Sequence, residues 1–202
     1  RTIFCYNTDH MRKIIFDIET SNAFGEIESR NAYDLDLSVI VIHDSKTDEY
    51  TSFKQDELHK LWPILEETDI IVGYNSDHFD LPLLNKYYEG DLNQIKSLDI
   101  LAEIKEQFGR RMKLDQIAAG TFGTAKSADG LQAVRWWRNG EYEKVIKYCI
   151  DDVKITKQIY DYALKNNKLI FKEGGKKITI PLDTSKWDIL EEAPAMTHSL
   201  PF

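Results

Sequence analysis

Three strand-like runs follow one another before any helical period begins, and this order constrains the fold more than any other feature of the chain. Lys13–Ile18 is rich in β-branched and aromatic residues and predicts a buried strand. Leu35–His43 and Glu49–Phe53 predict two more, joined by the turn-forming sequence DSKTD. From there the pattern alternates. Leu58–Glu67 carries apolar residues at 58, 61, 62 and 65 on one helical face, Asp69–Gly73 predicts a short buried strand, and Leu81–Tyr88 a short helix. Ser97–Ile100 predicts a fifth strand running into a helix at Leu101–Phe108. The glycine-punctuated stretch GTFGTAKSADG follows, with a short helix on each side. Glu141–Asn166 is the longest periodic segment and predicts one long helix, after which KEGGKK turns between LIF and ITIPL. The expectation is an α/β fold: a mixed sheet, antiparallel over its first three strands and then parallel, flanked by helices and ending in a C-terminal β-hairpin.

The chain of 202 residues fits one domain with a sizeable core. The reading divides it into an N-terminal extension (1–12), a main domain (13–168) and the hairpin with its tail (169–202), where Trp187, Ile189 and Leu190 are candidate anchors. Met11 is a candidate translation start, which leaves residues 1–10 as native sequence or an appended tag. No window approaches the roughly 18 apolar residues of a membrane span. No leader pattern precedes the first strand, and two cysteines are too few for a disulfide framework, so a cytoplasmic setting is expected.

The net charge of −8 argues against tight, non-specific duplex binding. The charge is unevenly spread, however: residues 105–147 hold nine basic and five acidic side chains, leaving −12 for the remainder. That basic segment reads either as a solvated face or as a local grip on nucleic acid.

The acids are more informative. Asp17 and Glu19 stand two apart at the C-terminal end of the first strand, so they project to one face where open α/β sheets place ligands. Asp80 enters a short helix just after the fourth strand, where an aspartate could equally serve as a cap or first-turn residue. Tyr148 and Asp152 are four apart on the long helix and share a face, whereas Asp151 is rotated by about 100°. Singly, each piece is common. Their order brings four acids and one tyrosine to one end of one sheet.

Together these motifs resemble the DEDD superfamily of 3′–5′ exonucleases, specifically its tyrosine subgroup. FDIET is similar to the first motif, Asn75–Asp80 (NSDHFD) to the second, and Tyr148–Asp152 (YCIDD) to the third. The sister subgroup has histidine where Lys147 stands here. YCIDD is particularly similar to the proofreading domains of family B DNA polymerases. The resemblance spans residues 13 to about 165. It implies a ribonuclease H-like, DnaQ-like fold, either free-standing or as a module of something larger. It also implies two Mg²⁺ or Mn²⁺ ions held by Asp17, Glu19, Asp80 and Asp152, with Tyr148 orienting the attacking water. By the same resemblance Asp17 bridges both ions, Glu19 and Asp152 hold the ion that activates water, and Asp80 serves the second. The implied substrate is a single-stranded 3′ end, DNA favoured over RNA, with a polymerase or helicase partner and a place in DNA repair.

Thr20 and Asn75 match positions near the substrate's 3′ end, but polar filler and a turn cap explain them equally well. Phe79 fits a core aromatic better than a base-stacking one. Trp136 and Trp137, flanked by Arg135 and Arg138, resemble a stacking platform, although adjacent helical residues cannot share a face. His78 reads as a loop histidine and Cys149 as packing inward. Two rival functions remain: a catalytically silent nucleic-acid-binding module, or a partner-dependent proofreading subunit. A metal-dependent endonuclease on a related fold is the enzymatic rival.

Overall fold

The computed structural model describes residues 11–29, 31–123 and 130–190. Five strands form one sheet: β1 (Lys13–Thr20), β2 (Leu37–Asp44), β3 (Glu49–Lys54), β4 (Ile70–Gly73) and β5 (Lys96–Asp99). Their order is β3-β2-β1-β4-β5. β1 pairs antiparallel with β2 and β2 with β3, while β4 runs parallel to both β1 and β5. The sheet is therefore mixed, as the order of runs predicted.

The period of two along β1 builds two cores at once. Ile15 points with Val39, Val41, Ile70 and Val72 toward the long helix α6 (Tyr142–Asn166). Ile14, Phe16 and Ile18 point the other way, with Ile40, Ile42 and Ile71, onto α1 (Trp62–Glu66) and α2 (Asp80–Asn85). Burial on both faces explains why β1 and β2 are almost continuously apolar. The edge strand β3 instead alternates exposed and half-buried residues up to the buried Phe53. Three helices lie between β5 and α6: α3 (Ile100–Phe108), α4 (Leu114–Thr121) and α5 (Gly130–Arg138).

The C-terminal hairpin, β6 (Lys168–Glu173) with β7 (Lys176–Pro181), shares the α6-side core through Leu169, Phe171 and Ile180. Its contact with α4 is close. A Cβ on Gly120 would lie 2.2 Å from the Ile170 carbonyl oxygen and 2.3 Å from the Phe171 Cα. The Thr121 hydroxyl donates to the same carbonyl at 2.9 Å and accepts from the Ile170 N–H at 3.1 Å.

Several boundaries differ from those expected. The helix expected over Leu58–Glu67 is a 3₁₀ segment, Gln55–Lys60, followed by α1, because Pro63 suits only the first turn of a helix. β2 begins at Leu37, since the segment before it, Ala32–Asp34, forms a 3₁₀ turn capped by the Asn31 side chain. Of the three candidate anchors, only Trp187 is buried, stacked on Tyr160 at 6.0 Å and donating to Glu103. Ile189 and Leu190 are exposed. The GTFGTAKSADG stretch falls largely on residues 124–129, outside the described residues, as do residues 1–10. Among the described residues no helix is long and apolar enough to cross a membrane.

Candidate active site

The alternation along β1 decides which carboxylates meet. Asp17 and Glu19 share the face of Ile15, the one that α6 covers. Tyr148, Cys149 and Asp152 lie on the buried stripe of α6, so Asp152 faces the strand end. Carboxylate oxygens of Asp17, Glu19 and Asp152 all lie within 4.8 Å of one another, a group that could hold a metal ion. Asp151 and His78 are outside it, and His78 is exposed. A register shift between Glu19 and Thr20 ends the regular pairing of β1 with β2 just past the acids.

Asp80 arrives from the opposite face. It opens α2, whose Leu81, Leu83 and Leu84 pack into the second core. β4 leaves β1 after the pair Ile15–Val72, so no further rung of that ladder reaches Ile18. Asp80 Oδ1 accepts the Ile18 N–H there at 3.1 Å. The acid thus stands where β1 and β4 part and lines the same cavity as Asp17 and Glu19, without joining their group of three. Only 4% of its surface is exposed. Burial first, and then the charge of Asp17, pushes its carboxyl well above the usual carboxylate range.

Tyr148 is buried, with its hydroxyl hydrogen-bonded to Asp152 and its ring edge-on to Trp136 at 6.2 Å. Burial, followed by the charges of Asp152, Glu19 and Asp17, raises its hydroxyl pKa strongly, so it stays a neutral donor. Cys149 is fully buried, and its thiol donates to the Asp17 carbonyl at 3.2 Å and lies 3.4 Å from Asp17 Oδ2. Burial, with Asp17 and Glu19 adding to it, pushes this thiol up as well. The inward packing expected of Cys149 therefore holds, and it also braces the strand that carries the acids.

Asp17, Glu19 and Asp80, with Tyr148, line a cavity of about 450 Å³. Its other walls include all three residues expected near a substrate: Thr20, Asn75 and Phe79. The Thr20 hydroxyl donates to the Asn22 carbonyl at 2.8 Å. Asn75 adopts a left-handed backbone (φ 66°), unusual for a residue with a side chain. Asp99, the N-cap of α3, holds it there by accepting the Asn75 N–H at 2.7 Å. Phe79 is half-buried and meets the ring of Phe24 edge-on at 5.9 Å.

Phe24 and Leu131 also line this cavity, and both are exposed. Neither was singled out from sequence, because an aromatic in a turn and a leucine in an amphipathic helix carry no local signal. The tryptophan platform is not found here: Trp136 and Trp137 are half-buried, packed against the core, and neither lines the cavity. Trp136 packs edge-on against Tyr148, and Trp137 packs on Tyr142 at 4.6 Å.

The model of the RNase H superfamily matches residues 14–164. The chain belongs to the RNase H superfamily. A solved structure, the family B DNA polymerase from the hyperthermophilic archaeon Pyrobaculum calidifontis, is similar with a TM-score of 0.61 and 19% identity. That similarity covers 76% of this chain and 24% of the polymerase, so this superfamily member spans about a quarter of that length. At such identity the likeness is one of fold. No curated protein matches the sequence.

Proposed function

We propose that this protein is a divalent-metal-dependent 3′–5′ exonuclease of the tyrosine subgroup of the DEDD superfamily, removing nucleotides from single-stranded 3′ ends, with DNA favoured over RNA. One observation carries this reading: α6 delivers Asp152, with Tyr148 bonded to it, onto the Asp17–Glu19 pair at the end of β1. The donor set is all oxygen, which suits hard cations such as Mg²⁺ or Mn²⁺. Asp17, Glu19 and Asp152 would hold the ion nearest Tyr148, and Asp80 would serve a second one beside Asp17. Bound there, two such ions supply a water acidic enough to attack and a clamp on the scissile phosphate.

The chain's own groups then have separable tasks. Tyr148 stays protonated, so its hydroxyl would orient the nucleophile by hydrogen bonding and would not remove its proton. Asp80 is fixed by the Ile18 N–H, so its carboxylate does not have to find its rotamer when substrate arrives, and the Cys149 thiol braces the Asp17 backbone. Phe24, Phe79 and Leu131 make one side of the cavity apolar, which suits a nucleobase more than a second phosphate. The likeness in fold to a DNA polymerase supports DNA as the polymer.

The test is degradation of 5′-labelled single-stranded DNA and RNA of one sequence, with Mn²⁺, Mg²⁺ or EDTA, alongside Asp17→Ala. A metal-dependent ladder that the variant lacks is expected. No cleavage with either metal would move the assignment to a binding module.

A further inference from the structure

The cavity presents a problem of charge. Its floor carries Asp17, Glu19 and Asp80, and a nucleic acid strand must bring further negative charge toward them. Lys86, Arg138 and Arg111 each bond to a wall residue of the cavity or to a residue beside one. Lys86 donates to the Leu35 carbonyl at 3.0 Å but is paired with Asp36. Arg138 donates to the Ser21 carbonyl at 3.2 Å but is paired with Glu26, whose carboxyl it holds down to about 2. Arg111 differs. It is exposed, and its Nη2 donates at 2.5 Å to Asn75 Oδ1, a neutral amide oxygen on the cavity wall.

That placement is built, not incidental. Met112, next in the chain, is buried, and its carbonyl accepts from the Tyr74 hydroxyl at 2.8 Å. Segment 111–112 is therefore pinned to the wall residues Tyr74 and Asn75. Asn75 keeps a left-handed backbone that glycine would adopt more readily, and its side chain is what glycine could not supply: the oxygen that aims Arg111. The neighbouring Arg110 faces away, paired with Glu173 and lying over the Phe171 ring. Of two adjacent arginines, one is neutralised on the hairpin and one is bonded to the neutral amide of Asn75, a wall residue of the cavity.

We propose that Arg111, aimed by Asn75, is a substrate-binding residue that takes a backbone phosphate of the single strand entering the carboxylate cavity. The proposal rests on the nuclease reading above and adds the group that admits the anion. A guanidinium has five donors in a planar fork, and Asn75 uses one edge of it, leaving donors for phosphate oxygens. The apolar wall of Phe24 and Phe79 then takes the base, while Arg111 fixes the backbone.

The experiment compares steady-state kinetics of the full chain and its Arg111→Ala, Arg111→Lys and Arg110→Ala variants on labelled single-stranded DNA, and on RNA of the same sequence, across salt concentrations. Arg111→Ala is expected to raise KM roughly tenfold with kcat within about twofold, the size of one charge-assisted hydrogen bond lost from binding. The slope of log kcat/KM against log salt should shrink by about 0.7, one phosphate contact on a single strand. Arg111→Lys should recover the slope but only part of KM, since it keeps the charge and loses the fork. Arg110→Ala removes an equal charge and should match the parent in both. Equal behaviour of the two alanine variants overturns the inference while leaving the nuclease reading intact. A parent protein that degrades neither polymer overturns both.

Discussion

Replacing Asp17 by Asn tests the metal site through stability alone, without any assay of cleavage. The carboxylate oxygens of Asp17, Glu19 and Asp152 lie within 4.8 Å of one another. Two unit charges at that spacing repel by about 3.5 kcal/mol at an effective dielectric constant near 20. An ion among them reverses that term, and binding adds to folding by linkage. With free metal at about a hundred times Kd the gain is about 2.7 kcal/mol, or roughly 5–11 °C in Tm for a chain of this size. Thermal unfolding should be followed in EDTA, Mg²⁺ and Mn²⁺ at matched ionic strength, because salt alone screens the repulsion. The parent protein should gain several degrees, reversed by EDTA, and Asp17→Asn should gain less than about 2 °C at the same metal concentration. A parent that does not shift, or a variant that shifts as much, would refute the reasoning.

Other perturbations separate chemistry from architecture. Tyr148→Phe removes the hydroxyl bonded to Asp152 and keeps the ring beside Trp136; kcat should fall about 10- to 100-fold, as expected for one hydrogen bond made to the reacting water, with the metal-induced Tm shift unchanged. Unaltered kcat would remove the tyrosine from the mechanism. Gly120→Ala pushes a methyl group against hairpin backbone at 2.2 Å, and urea unfolding should report about 1–3 kcal/mol of lost stability, whereas a loss under about 0.5 kcal/mol would show that the α4–β6 contact gives way. Asp44 supplies a pH dependence: burial opposes its ionised form, but the Arg12 hydrogen bond, the Lys46 N–H and both positive charges outweigh it, holding its carboxyl below the usual range. Its folded-state pKa is the lower one, so the stabilisation is full above the unfolded value and vanishes as pH falls through the folded value. Asp44→Asn should therefore cost stability at neutral pH and progressively less in acid; a cost independent of pH would contradict this.

The sheet and the site were legible in sequence for different reasons. β1 and β2 are buried on both faces, so their apolar runs announce strands, and the period of two then places Asp17 and Glu19 together. The four-residue spacing of Tyr148 and Asp152 likewise survives folding, because α6 is long and regular. Asp80 shows where that reasoning ends. Its position depends on β4 leaving β1 after Val72, a termination no local pattern encodes, and so the four acids fall as three and one. Phe24 and Leu131 reach the cavity, and Arg111 reaches its wall residue Asn75, by tertiary placement alone. The tryptophans of RWWR pack against the core beside Tyr148 and Tyr142, as expected of adjacent helical residues that cannot share one face.

The most direct measurement of the central claim is a comparison of first products from one single-stranded DNA labelled at either its 5′ or its 3′ end. With Mn²⁺, the 3′ label should leave as a mononucleotide at the earliest time, while the 5′ label passes through every shorter length in turn. Internal fragments from both labels, or a mononucleotide released from the 5′ end, would contradict the account.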